Sequence, residues 1–240
     1  MPHSRIAYAL DYPNLAEARS GALRLRGHVG IVKIGLELFV KEGPPALALA
    51  AECGADLFAD LKLHDIPETV DRAVRSVAGS GARFVTVHAA GGAAMLGRAV
   101  ERAAKETNGK LTVLAVTVLT SLDDADLAAQ GIDGRAQEHA LRLARVAFEV
   151  GVRGFVCSPA EVRALRAAIG PVATIVTPGV RPAGAATHDQ KRVATPADAI
   201  ADGADIVVVG RPIRDAADPV AAADAVARDV SEGLARRSRA

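Results

Sequence analysis

Eight short apolar runs alternate along the chain with longer segments rich in Ala, Leu and Arg. The runs are RIAYAL (5–10), IVKIG (31–35), DLFADLK (56–62), RFVTVHA (83–89), KLTVLAVTVL (110–119), GFVCS (154–158), ATIVTPG (173–179) and DIVVVG (205–210). They are mostly continuous rather than alternating, the pattern of parallel strands covered on both faces. Helical patterns fill the gaps. NLAEARSGALRLRG is amphipathic, PPALALAAECG opens on prolines and stops at Gly54, AQEHALRLARVAFEVG carries an apolar stripe to Gly151, and PAEVRALRAAIG ends at Gly170. A Gly followed by Ala or Val recurs before strands at Gly54, Gly81, Gly151 and Gly203, as expected for helix C-caps leading into short loops. Eight β-then-α units predict an α/β protein built as one (β/α)8 barrel domain over residues 1–240. A doubly wound open sheet is the alternative. No G-x-G-x-x-G follows the first run, which counts against a dinucleotide fold. The longest irregular stretch, Thr177 to Pro196, has the length of a functional loop or lid. The polar tail LARRSRA reads as a frayed end.

Composition narrows the function classes. Half of the 240 residues are hydrophobic, enough for a large core, and Trp is absent. The net charge of +1 gives no broad field for nucleic acid or an anionic membrane. Cys53 and Cys157 form no disulfide framework or zinc spacing and read as buried free thiols. The N-terminus reaches a strand at once, with no apolar signal segment, and no run is long enough to span a bilayer. The expectation is a soluble, cytoplasmic protein.

In a barrel of this kind, active groups sit at the C-terminal ends of the strands. Polar residues gather there: Asp11, Lys33, Asp60, Lys62, Thr120, Ser121, Arg181, Gly210 and Arg211. Strand alternation points Asp60 and Lys62 to one face and Leu61 to the other. Lys33, between Val32 and Ile34, reaches the same space. Charges are costly to bury, so the group reads either as chemistry or as an ion pair that fixes register. Asp65 is open in the same way: Asp65-Ile66-Pro67-Glu68 fits a helix N-cap with a capping-box acid. His64 and His88 show no metal-ligand spacing and read as ordinary hydrogen-bonded histidines. The loops after runs seven and eight supply Arg181, Gln190, Arg192, Gly210 and Arg211, a phosphate signal, because Gly admits backbone N–H groups and Arg binds phosphate bidentately.

The motif DLKLHDIPETV (60–70) resembles the orotidine 5′-phosphate decarboxylase family in its short bacterial form. The resemblance extends through ALD (9–11), VKIG (32–35), VTVHAAGG (85–92), VTVLTS (116–121), TPGVRP (177–182) and VVVGRPI (207–213), in order along nearly the whole chain. It implies a homodimeric (β/α)8 barrel that converts orotidine 5′-phosphate to UMP, the last step of pyrimidine nucleotide synthesis, with no metal and no organic cofactor. Lys33, Asp60, Lys62 and Asp65 would form an alternating charge array, with Lys62 as proton donor and Asp65 supplied by the partner subunit. Asp11 and Lys33 would hold the ribose, and Thr69 would accompany Asp65 across the interface. Asp60 would also contact the substrate. Thr120 and Ser121 would contact the pyrimidine, and Arg181, Gln190, Gly210 and Arg211 would grip the phosphate under a closing loop. Two other readings compete. A magnesium-dependent sugar-phosphate decarboxylase or synthase of the same wider family would place a metal-binding Glu where Lys33 stands, and Lys33 would repel the ion. A catalytically silent nucleotide-binding barrel would not need charges beside the base.

Overall fold

Ile6–Ala9 (β1), Ile31–Ile34 (β2), Asp56–Leu63 (β3), Phe84–His88 (β4), Thr112–Val116 (β5), Gly154–Val156 (β6), Thr174–Thr177 (β7) and Ile206–Val209 (β8) pair in parallel, each with the next, and β1 closes on β8. This is the expected (β/α)8 barrel. The structure is a computed structural model that describes residues 1–181 and 194–239.

Period-two alternation builds the barrel interior. Ala7, Ile31, Phe58, Phe84, Leu114, Val176 and Ile206 cluster inside, with Val156 and Val208 against them. Phe58 and Phe84 meet edge to face at 6.0 Å. This apolar layer lies beneath the site. Two residues further along the same strand faces stand Ala9, Lys33, Asp60, Thr86 and Val116. The polar members of that next layer occupy the barrel mouth, above an apolar base. The helices bury their apolar faces in the larger outer core around the sheet.

Local chemistry sets the helix limits. Asn14 caps Leu15–Arg24 by accepting from the Glu17 N–H, and Asp218 caps Pro219–Arg237 through the Val220 and Ala221 N–H groups. Gly170, at φ 72°, ends Val162–Ile169 in a conformation that disfavours a side chain. A further helix, Leu36–Glu42, follows directly after β2, where no helical pattern is expected. PPALALAAECG is a 3-10 turn, Pro44–Ala48, continued by one α-helical turn, Leu49–Glu52.

Two expectations need correcting. The tail does not fray at Leu234: the last helix continues to Arg237. Val226 and Val230 are buried, and Arg236 and Arg237 pair with Asp198 and Asp205. Asp65 is not a capping-box residue either. The helix Pro67–Ala78 has Ile66 at its N-cap with no side-chain cap. Asp65 Oδ1 instead accepts the neighbouring Ile66 N–H, at 2.7 Å. No helix among the described residues is long and apolar enough to cross a membrane.

Candidate active site

A cavity of about 260 Å³ opens at the C-terminal ends of the strands. Asp11, Lys33, Asp60, Lys62, Thr120, Arg181, Gly210 and Arg211 line it, with an apolar wall that includes Val118, Leu119, Val156, Cys157, Pro178 and Val180. One cavity therefore joins a charged floor to an arginine-bearing rim.

The floor is a chain of alternating charge. Lys33 Nζ stands 3.4 Å from Asp11 Oδ1 and 3.3 Å from Asp60 Oδ2, and Lys62 Nζ stands 2.9 Å from Asp60 Oδ1. Side-chain exposure rises outward from Lys33 (10%) and Asp60 (12%) to Lys62 (29%) and Asp11 (45%). Burial pulls Lys33 toward neutrality, but the attraction of Asp60 and Asp11 outweighs it and holds the ammonium above its ordinary range. Burial likewise pushes Asp60 up, and Lys33 and Lys62, aided by the Thr86 hydroxyl, bring it below the usual carboxylate range. The two buried charges, Lys33 and Asp60, are thus each kept by their neighbours.

Two glycines and an arginine make room for this chain. A Cβ on Gly35 would come within 2.9 Å of Lys33 Nζ and 3.2 Å of Asp11 Oδ1; one on Gly210 would come within 3.3 Å of Ala9 Cβ. Arg214 Nη1 donates to the Asp11 carbonyl at 2.6 Å and fixes the loop that carries that carboxylate.

Simple alternation does not deliver Lys62. Its backbone lies at φ 48°, the left-handed region, which costs a non-glycine residue about 1–3 kcal/mol. The β3–β4 register shifts between Ala59 and Leu63. Lys62 therefore leaves the ladder, and its N–H goes to Thr86 Oγ1 at 2.9 Å. The same hydroxyl donates to Asp60 Oδ1 at 3.0 Å. Thr86 is not among the residues expected at the site; its signal is a polar residue two places after Phe84, in an inward register.

The remaining candidates divide. Thr120 lines the cavity and Ser121 is exposed beside it without lining it. Asp65 and Thr69 are exposed and do not line it. Gln190 and Arg192 lie outside the described residues, as does most of the predicted lid. The two ends of that stretch meet where the Arg181 N–H donates to the Ala194 carbonyl at 2.9 Å. The His64 and His88 rings lie 5.4 Å apart, tilted by 37°, and burial, reinforced by His64 and Lys62, lowers the His88 pKa. Among the described residues, no group of three or more His, Cys, Asp and Glu is arranged to hold a metal ion. Both cysteines are free and buried, as expected, and Cys157 forms part of the wall.

Comparison with known proteins adds identity to geometry. The family described as Orotidine 5′-phosphate decarboxylase / HUMPS family matches residues 4–226. The chain is 56% identical over 226 residues to the orotidine 5′-phosphate decarboxylase of Anaeromyxobacter sp. (strain K), covering 94% of this chain and 98% of that protein. It is 53% identical over 228 residues to that of Thermobifida fusca, covering 95% and 96%. A crystal structure of orotidine 5′-phosphate decarboxylase from Lactobacillus acidophilus superposes with a TM-score of 0.82 at 37% identity, over 93% of this chain and 97% of that one.

Proposed function

The chain belongs to the orotidine 5′-phosphate decarboxylase / HUMPS family, and on that premise we propose that it is a carboxy-lyase converting orotidine 5′-phosphate to UMP without metal or organic cofactor. One observation carries the reading: the alternating Asp11–Lys33–Asp60–Lys62 chain lies in the same cavity as Arg181 and Arg211. The magnesium-dependent sugar-phosphate reading would have a metal-binding Glu where Lys33 stands, and an ammonium there repels a divalent cation. A silent nucleotide binder gains nothing from buried charges that must hold one another ionised.

The chemistry follows from the charge. Breaking the bond between ring and carboxylate releases carbon dioxide and leaves an electron pair in the ring plane, where the π system cannot absorb it. With no cofactor to accept the pair, fixed charge must stabilise it. On this reading the Lys62 ammonium does so and then gives its proton to the ring carbon. Asp60 holds Lys62 in place and faces the departing carboxylate. Two unit charges 4 Å apart interact by about 4 kcal/mol at an effective dielectric of 20, about a thousandfold in rate if all of it were released. Lys33 and Lys62 offset much of this, so the preorganised ammonium is the larger effect. Asp11 and Lys33 hold the ribose and Thr120 and Ser121 meet the pyrimidine. Arg181, Arg211 and Gly210, with Gln190 on the resemblance, take the phosphate. Binding energy from that remote group drives loop closure and sets the charges.

The reading includes a homodimer in which Asp65 and Thr69 complete the partner's site. Their exposure, and their position outside their own cavity, support it. The test of function is a spectrophotometric assay. Orotidine 5′-phosphate loses its characteristic absorbance on decarboxylation, and the change should persist after exhaustive chelation with EDTA, with UMP as product. Loss on chelation and rescue by magnesium favours the sugar-phosphate activity; tight UMP binding without turnover favours the silent binder.

A further inference from the structure

We infer that Thr86 is a positioning residue for this reaction: its hydroxyl fills the gap opened by the β3 bulge and sets both the Asp60 carboxylate and the Lys62 backbone. The inference rests on the reading of Lys62 as proton donor.

The register supplies the reason. Ala59 pairs with Val85 and Leu63 with Val87. Asp60, Leu61 and Lys62 on β3 thus face Thr86 alone on β4. A ladder cannot satisfy three residues with one, so a side chain must. Thr86 is fully buried, and its single hydroxyl serves both sides of the gap. It accepts from the Lys62 N–H at 2.9 Å and donates to Asp60 Oδ1 at 3.0 Å. The first bond anchors Lys62 in a backbone conformation that an L-residue seldom adopts. The second fixes the plane of the carboxylate, whose Oδ1 also receives Lys62 Nζ and whose Oδ2 faces Lys33 Nζ. Both ends of the Lys62 side chain therefore refer to one hydroxyl. Thr86 acts through Asp60 and Lys62; it is absent from the cavity lining.

Thr86→Val keeps shape and burial and removes the hydroxyl. Misplacing a catalytic group by about 1 Å can cost about a hundredfold, so turnover number should fall by about 10- to 100-fold. The Michaelis constant and UMP inhibition should move by less than about threefold, because the phosphate contacts are untouched and Lys33 keeps Asp11 as a partner. Thr86→Ser restores the hydroxyl and should bring the turnover number back to within about threefold of wild type. A merely structural threonine would lower the melting temperature while the folded Val variant kept its turnover number, and that result overturns the inference. So does a Ser variant as slow as the Val variant. Should Thr86→Val not fold, amide hydrogen exchange on the wild-type protein decides: the Lys62 N–H must be protected, and exchange at the unprotected rate refutes the clamp. Wild-type protein without turnover refutes the decarboxylase reading itself, which keeps the two failures distinct.

Discussion

Lys62 reaches Asp60 at 2.9 Å across a single intervening residue because its own backbone turns to φ 48°. Position and strain are two aspects of one arrangement. Lys62→Ala should abolish detectable decarboxylation while UMP still binds, since Asp60 keeps Lys33 and Thr86 as partners. Lys62→Gly should be equally inactive but more stable than Lys62→Ala by about 1 kcal/mol, because only glycine adopts positive φ without penalty. Urea unfolding of the two variants measures the difference; an Ala variant as stable as the Gly variant would contradict the strain.

Asp60 should carry stability as well as chemistry. Its folded pKa is depressed, so its contribution is present above the unfolded value of about 3.9 and is lost as pH falls through the folded one. Lys33 has a raised folded pKa. Its contribution is present below about 10.4 and is lost as pH rises through the folded value. Asp60→Asn removes the first and weakens the second, leaving a buried ammonium short of a partner, at a cost of about 3–5 kcal/mol at pH 7. The gap from wild type should narrow by about 1 kcal/mol by pH 3, where the unfolded carboxylate is protonated. Equilibrium unfolding at the two pH values tests this, and an unchanged gap would contradict it.

Arg211 and Arg181 line the cavity beside Gly210, at the rim where a phosphate would sit. Arg211→Ala should raise the Michaelis constant by about 10- to 100-fold, the value of a lost charged hydrogen bond. The turnover number should fall too if the transition state also uses the grip. Inhibition by the unphosphorylated nucleoside should not change. Normal kinetics in this variant would place the phosphate elsewhere.

The barrel was legible because each parallel strand is a nearly continuous apolar run, and eight such runs separated by helical patterns have few other packings. Lys33 and Asp60 were legible for the same reason: each stands two residues beyond an apolar interior residue, Ile31 or Phe58. The bulge was not, because alternation presumes an unbroken ladder, and its correction came from β4 rather than from β3. Thr86 was hidden by its own propensity, since threonine is an ordinary strand former. Asp65-Ile66-Pro67-Glu68 has the composition of a capping box, yet the N-cap falls at Ile66, one residue later. The tail misled by polarity: Arg236 and Arg237 lie on a helix whose other face is buried.

The shared site is the most exposed of these expectations to experiment. Lys62 lines its own cavity, whereas Asp65 and Thr69, only a few residues later, are exposed and do not. If Asp65 serves the partner's site, subunits with different lesions must complement. Lys62→Ala chains and Asp65→Ala chains, each inactive alone, are mixed in equal amounts and allowed to exchange. In a mixed two-fold dimer, one site combines both lesions. The other takes Lys62 from the Asp65→Ala chain and Asp65 from the Lys62→Ala chain, and is intact. Random pairing makes half the dimers mixed, so about a quarter of wild-type activity should return. If Asp65 acts within its own subunit, every site keeps one lesion and nothing returns. Flat activity after verified exchange, with both parent proteins folded, would therefore refute the shared site.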